Sequence, residues 1–271
     1  MEQVKPHQIH YIKNRKEKDT DMCNICGEIK KLSWDHVPPK GSIFFDSVEI
    51  KSIFNKNSNW KGGNIFSQNG TKFRTICHMC NNVLGSKYDV EYNQFIYNAT
   101  ILISENYNLN EKIQIECKPN KLFKSIIGHL LAAKVDYEET THDEFMRDLF
   151  LSNDLKKSKL NIFYWFYPFS EIIVIRDFLR GDFSVKNSQD FFSVLKAYPI
   201  GFYITEKNKI EDFHKLNDFF TENDEEVINL PLNISKIYDP EWPHIVDKYS
   251  FMMGGQSNKS AIISKPKKNI P

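Results

Sequence analysis

Cys23-Asn24-Ile25-Cys26, then Leu32-Ser33-Trp34-Asp35-His36-Val37-Pro38-Pro39-Lys40, then Cys77-His78-Met79-Cys80-Asn81-Asn82: these three runs decide how the rest of the chain is read. Each Cys-x-x-Cys pair is a tight knuckle offering two soft thiolates, and two knuckles complete the tetrahedron that a structural zinc prefers. Cys23, Cys26, Cys77 and Cys80 are therefore expected to hold a structural Zn²⁺. The loop between the knuckles is longer than a bare zinc ribbon needs, so the ion is expected to staple a second, chemical site that contains Asp35 and His36.

Working outward, the N-terminal stretch up to Lys18 is polar and lacks the apolar core of a secretory signal. No run approaches the length of about 18 apolar residues that crosses a bilayer, so no membrane partner is expected. Cytoplasmic residence follows as an expectation, and in that compartment paired cysteines favour metal over disulfide. The overall charge of +1 hides an asymmetry. Residues 1–88 carry 14 Lys and Arg against 8 Asp and Glu, and residues 89–271 carry 22 against 27. A basic first part on an acidic remainder points to a polyanion at the first part.

Three regions are expected: a polar arm at 1–21, a zinc-stapled unit at 22–105, and a mixed unit at 106–271, with the break in the Asn-rich stretch 106–110. Gly27 frees the backbone after the first knuckle. Lys30 to His36 reads as a strand that Pro38-Pro39 ends, and Phe73 to Ile76 as a second strand. Residues 41–70 read as a long irregular loop with one short helix over 43–54. Asn81 to Leu84 begins a helix that Gly85 interrupts. Helical spacing then marks 90–104 and 122–135, the second opened by Pro119, and 143–151 is a further helix capped near Thr141 or His142. Aromatic and β-branched runs at 161–167, 172–175 and 200–204 read as strands, with the aromatic run as sheet core. The segment 206–230 shows patchy helical spacing, and the tail after Met253 reads as loop. Cys117 is expected to be a plain buried thiol, and His129 a satisfied core histidine.

Asp35 offers a hard oxygen ligand and His36 a base that is neutral near neutral pH. Adjacent strand residues point to opposite faces, so the two converge only if the strand is ending at Pro38-Pro39. Cys-x2-Cys, then Asp-His-x-x-Pro, then Cys-x2-Cys-Asn resembles the zinc-containing branch of the HNH nuclease family over residues 22–89. The resemblance implies an α+β protein: an N-terminal ββα-metal (HNH-like) module stapled by a four-cysteine zinc, followed by a mixed helix and antiparallel-sheet domain. It implies an endonuclease in which His36 activates water while Asp35 and Asn81, or Asn82 in its place, hold a catalytic divalent ion, Mg²⁺ or Mn²⁺. The family's middle Asn, which orients the base, falls on Asn64 or Asn69. Lys40, Lys72, Arg74 and Lys87 flank the site as candidate phosphate contacts, and the implied partner is nucleic acid, with double-stranded DNA first. The layout is similar to nucleases of mobile elements and phage defence. Residues 106–271 carry no catalytic constellation and are expected to sense, recruit a protein partner or form a homo-oligomer. The rival expectation is a zinc-stapled nucleic-acid-binding or regulatory protein with a degenerate site.

Overall fold

The computed structural model describes residues 19–42, 47–53, 65–106, 112–135, 139–152, 154–182, 189–244, 249–254 and 260–266. The polar arm, apart from its last three residues, and Asn64 lie outside that set. The fold is mixed α+β, with antiparallel sheets and few helices. In chain order the first elements are β1 (Thr20–Met22), β2 (Ile29–His36), β3 (Ser47–Ser52), β4 (Ile65–Gln68) and β5 (Lys72–Cys77). They are followed by α1 (His78–Val83), α2 (Asp89–Glu105), β6 (Lys112–Cys117), α3 (Pro119–Ala132) and α4 (Thr141–Leu151). The rest is strand-rich: β7 (Asn161–Phe166), β8 (Ile172–Asp182), β9 (Asp190–Ala197), β10 (Ile200–Thr205) and β11 (His214–Lys215). Then come β12 (Ile228–Asn233), β13 (Ser250–Gly254) and β14 (Ala261–Pro266).

A small sheet of order β1-β2-β5 carries both knuckles, and α1 follows β5 without a break. Gly85 does not interrupt the helix that begins there. A single π-helical turn, Leu84–Tyr88, carries α1 directly into α2. The expected short helix over 43–54 is replaced, in its described part, by strand β3. Val48 and Ile50 alternate with polar neighbours and are buried, a period of two that fits a half-buried strand.

Strands β3 and β4 do not stay with the small sheet. They form the end of a nine-stranded sheet ordered β11-β7-β10-β9-β8-β14-β3-β4, with β13 paired to β8. The tail expected to be loop instead supplies β14, which pairs with β8 on one side and β3 on the other. Ala261 and Ile262 are buried there.

Helix α3 is the hub. Its apolar positions recur at helical spacing, Pro119 takes the first turn, where its missing N–H is no loss, and every residue but Lys121 is buried. Full burial of a side chain such as Ile126 or Leu130 contributes about 1.5–3 kcal/mol. One hydrophobic core runs from Cys23, Phe73 and Ile76 through α2 and α3 to Tyr164 and Phe202 of the large sheet. The expected break at 106–110 thus falls between segments that share a core. Strand β7 is buried on both faces: Ile162, Tyr164 and Phe166 face the helices, while Phe163 and Trp165 face a second cluster on the far side.

Polar contacts fix α3 at its C-terminal end, where the last carbonyls lack helical partners. Asn24 Nδ2, inside the first knuckle, donates to the Leu131 and Lys134 carbonyls at 2.8 and 2.9 Å. The Thr75 hydroxyl donates to the Ala132 carbonyl. Beyond the helix, Lys134 pairs with Asp143 at 2.6 Å and with Asp177 at 2.8 Å. Asp143 also caps α4 through Thr140 and pairs with the fully buried Arg176 at 2.5 Å.

Candidate functional site

The two knuckles meet as their spacing requires. Ligand atoms of Cys23, Cys26, Cys77 and Cys80 all lie within 4.8 Å of one another, and all but Cys26 are buried. The Cys26 and Cys77 sulfurs are 4.0 Å apart, close to the edge of about 3.8 Å of a tetrahedron with ion–sulfur bonds of about 2.3 Å. The Cys77 N–H donates to the Cys23 sulfur at 3.2 Å, and Gly27 completes the first turn at φ +72°. A hydrogen bond from Cys80 holds the Cys23 thiol down to about 5, while the same bond and burial push Cys80 up. Four sulfurs this close cannot all ionise without a cation between them, and an ion such as zinc would supply that charge.

The hairpin β2–β5 presents two faces of different chemistry. Asp35 pairs with Phe73 and His36 with Lys72, and a register shift lies between Ser33 and Asp35. Ser33, Asp35 and Thr75 meet Asn81, His129 and the Ala132 carbonyl on the helix side, with Phe73 in the core. On the other side Arg74 lies against Trp34, and Lys72 stands opposite His36. Asp35 is only 6% exposed, and its Oδ2 lies 3.1 Å from Nδ1 of His129 on α3. The other ring nitrogen of His129 lies 2.8 Å from Oδ1 of Asp89, which also accepts from the Ser125 hydroxyl at 2.9 Å. His129 is fully buried between the two carboxylates. Burial opposes its protonation, but Asp89 and then Asp35 outweigh burial and raise its pKa to about 10. Burial pushes Asp35 up, whereas His129 holds the less enclosed Asp89 below its usual range despite burial.

The strand therefore does not end early enough for Asp35 and His36 to converge. Asn81, which was expected to share an ion with Asp35 through its Oδ1, donates through Nδ2 to Ser33 Oγ at 3.0 Å and to the Trp34 carbonyl at 2.9 Å, tying α1 to β2. Asn82 is exposed, and its carbonyl accepts from the Ser86 hydroxyl at 2.7 Å. Among the described residues the four cysteines are the one group of His, Cys, Asp or Glu close enough to share an ion. Oδ2 of Asp35 is taken up by His129, and among the described residues no contact supports a Mg²⁺ or Mn²⁺ shared by Asp35 and Asn81.

His36 stands differently. Its ring bonds to the backbone of Asn69, which favours the protonated form, but burial and then Lys72 and Lys40 outweigh it and hold the pKa down to about 4. Nε2 is enclosed and, among the described residues, has no hydrogen-bond partner. Asn69 reaches the ring because it turns the chain from β4 into β5 at φ 62°, with Gly70 following at 86°. Of the two candidates for the orienting Asn, Asn69 is thus beside His36 through its main chain. Burial and then Lys40 lower the pKa of Lys72. Arg74 lies over the Trp34 ring, 5.5 Å from its centroid, and pairs with Asp19. Lys87 is exposed and lies 5.2 Å over the Tyr88 ring. The residues that sequence reading could not join to the site are Asp89 and His129. A histidine on an apolar helix face signals acidic partners, but not which ones.

Fold and site together define an α+β protein in which a four-cysteine cluster able to hold a metal ion brackets a basic, imidazole-bearing hairpin. No family model, curated protein or solved structure matches the chain. No helix among the described residues is long and apolar enough to cross a membrane.

Proposed function

We propose that the protein is a zinc-stapled nuclease of the HNH type that hydrolyses phosphodiester bonds of nucleic acid. The observation that carries this reading is His36. Its imidazole is neutral, its Nε2 has no partner among the described residues, and it shares a face with Lys72 and Arg74, with Lys40 close enough to act on it. Nε2 is enclosed in the free protein, so bound substrate must bare it; Nε2 then takes a proton from water as the water oxygen bonds to phosphorus. The bond to the leaving oxygen breaks, and that alkoxide takes a proton from solvent. Lys40 and Lys72 offset charge on the phosphoryl oxygens, and Asn69 orients the ring. The four thiolates would hold zinc, which supplies the staple and takes no part in the reaction. The resemblance in Cys-x2-Cys, Asp-His-x-x-Pro and Cys-x2-Cys-Asn supports the assignment, as does the hairpin followed directly by a helix.

Purified protein incubated with plasmid, linear duplex or RNA, in Mg²⁺ and in Mn²⁺, tests it. Wild type is expected to cut at least one substrate. His36→Ala is expected to lose about 10²–10⁴ in rate, the usual worth of a general base, with zinc content and melting temperature unchanged. Equal cutting by the variant removes His36 from the reaction.

The pH profile carries a further expectation. A base must be unprotonated to accept a proton, and His36 is unprotonated above about pH 4. The acid limb of kcat/KM should therefore fall near pH 4, not near the ordinary histidine value of about 6.5. A limb centred at 6.5 would contradict the enclosed, cation-flanked imidazole.

The capture of Asp35 by His129 favours a second reading, a nucleic-acid-binding protein whose hydrolytic site is degenerate. In that case wild type and His36→Ala bind nucleic acid alike and neither cuts it.

A further inference from the structure

Trp34 leaves 36% of its surface exposed on a strand that buries Leu32 and Asp35. It stands two residues from His36 on the same face, about 6.6 Å along the strand. The Arg74 guanidinium lies over the ring, 5.5 Å from its centroid, and Asp19 anchors that guanidinium from outside. Lys72, opposite His36, and Lys40 continue the positive charge, and among the described residues no carboxylate is paired with either. An indole beside an arginine, followed by an imidazole between two lysines, is the composition of a surface that stacks a base and tracks the adjoining phosphate.

We propose that Trp34 is a base-stacking residue and that this hairpin face takes a strand whose bases are unpaired. A duplex offers base edges in its grooves and keeps the faces of its bases stacked on one another. An indole at a strand surface needs an open base face, which a single strand, a flap or a splayed end supplies. The stacked nucleotide then neighbours the phosphate at His36, so Trp34 selects substrate form while His36 acts on the linkage. The inference rests on the face being a nucleic-acid surface and narrows the substrate from duplex DNA to unpaired strands.

Fluorescence anisotropy with a labelled oligothymidylate, and with the same strand annealed to its complement, tests binding by itself when the strands are recovered intact afterwards. Wild type is expected to bind the single strand more tightly than the duplex. Trp34→Ala is expected to lose about 5–150-fold in single-strand affinity, the worth of one stacked base, with duplex affinity little changed. Trp34→Phe is expected to retain most of the binding. Because Trp34 lies outside the core, zinc content and melting temperature of both variants should match wild type. Equal wild-type affinity for the two forms, or undiminished single-strand binding by Trp34→Ala, overturns the proposal. Single-strand binding that depends on Trp34 upholds it even where no substrate is cut, an outcome that would remove the nuclease reading alone. Absence of binding to either form ends both.

Discussion

Cys77→Ser, or prolonged treatment with a strong zinc chelator, is expected to unfold the small sheet and the start of the long helix. Structural zinc contributes about 10–16 kcal/mol in small zinc-binding units, as much as the whole stability of a typical domain. Here the ion would close the loop between residues 23 and 80, and Cys77 would be a ligand while its N–H donates a main-chain hydrogen bond to the Cys23 sulfur. Metal analysis of the purified protein should return one zinc per chain. After chelation, limited trypsin digestion should cut first around Lys30, Lys31 and Arg74. Because Asn24 and Thr75 bond the carbonyls at the end of α3, loss of the ion should also loosen that helix. A native protein that carries no zinc, and melts the same with and without chelator, would remove the staple from the account.

The second large effect belongs to His129. His129→Leu leaves Asp35 and Asp89 facing each other without a cation in a buried site, and removing one partner of a buried ion pair costs about 3–5 kcal/mol. For a chain of this size that is a fall of about 6–20 °C in melting temperature. The pH dependence has a definite sign. The folded pKa of about 10 exceeds the unfolded value of 6.5, so the stabilisation is complete below pH 6.5 and is lost as pH rises through 10. The lowered pKa of Asp89 sets the other border, since its share fades as pH falls below the ordinary carboxylate range. Wild type and His129→Leu should therefore differ most between the ordinary carboxylate range and pH 6.5, and converge as pH approaches 10. A difference that stays constant from pH 6 to 10 would mean that the imidazole is held as a neutral hydrogen-bonding group.

The parts legible in the sequence were those whose cause is local. Two Cys-x-x-Cys knuckles announce a shared ion, and the apolar spacing from Leu122 to Leu131 announces a buried helix. The aromatic run from Phe163 to Tyr167 reads as sheet core because only a strand covered on both faces can bury every residue. What stayed hidden depends on distant partners. Residues 261–266 carry a short apolar run among lysines and look like a tail until β3 and β8 pair with them. Glycine suggested a stop at Gly85, but the helix absorbs it in a widened turn. Asp35 and His36 were legible as a chemical pair, yet which way each points depends on where strand alternation stops. It continues through His36, so α3 takes one side chain and the basic face keeps the other.

The chain between the knuckles also determines what can be separated from what. Strands β3 and β4 leave the small sheet and finish the edge of the large one, with β14, the last described strand, laid against them. The chemical hairpin is sewn into the body of the protein at both ends, so it is no portable cassette. Cut out at residue 105, it would carry Val48 and Ile50 into water and bare a strand edge of the kind that invites aggregation. Any partner or signal that shifts the large sheet acts on the same stitches, and so on the loop that presents the imidazole.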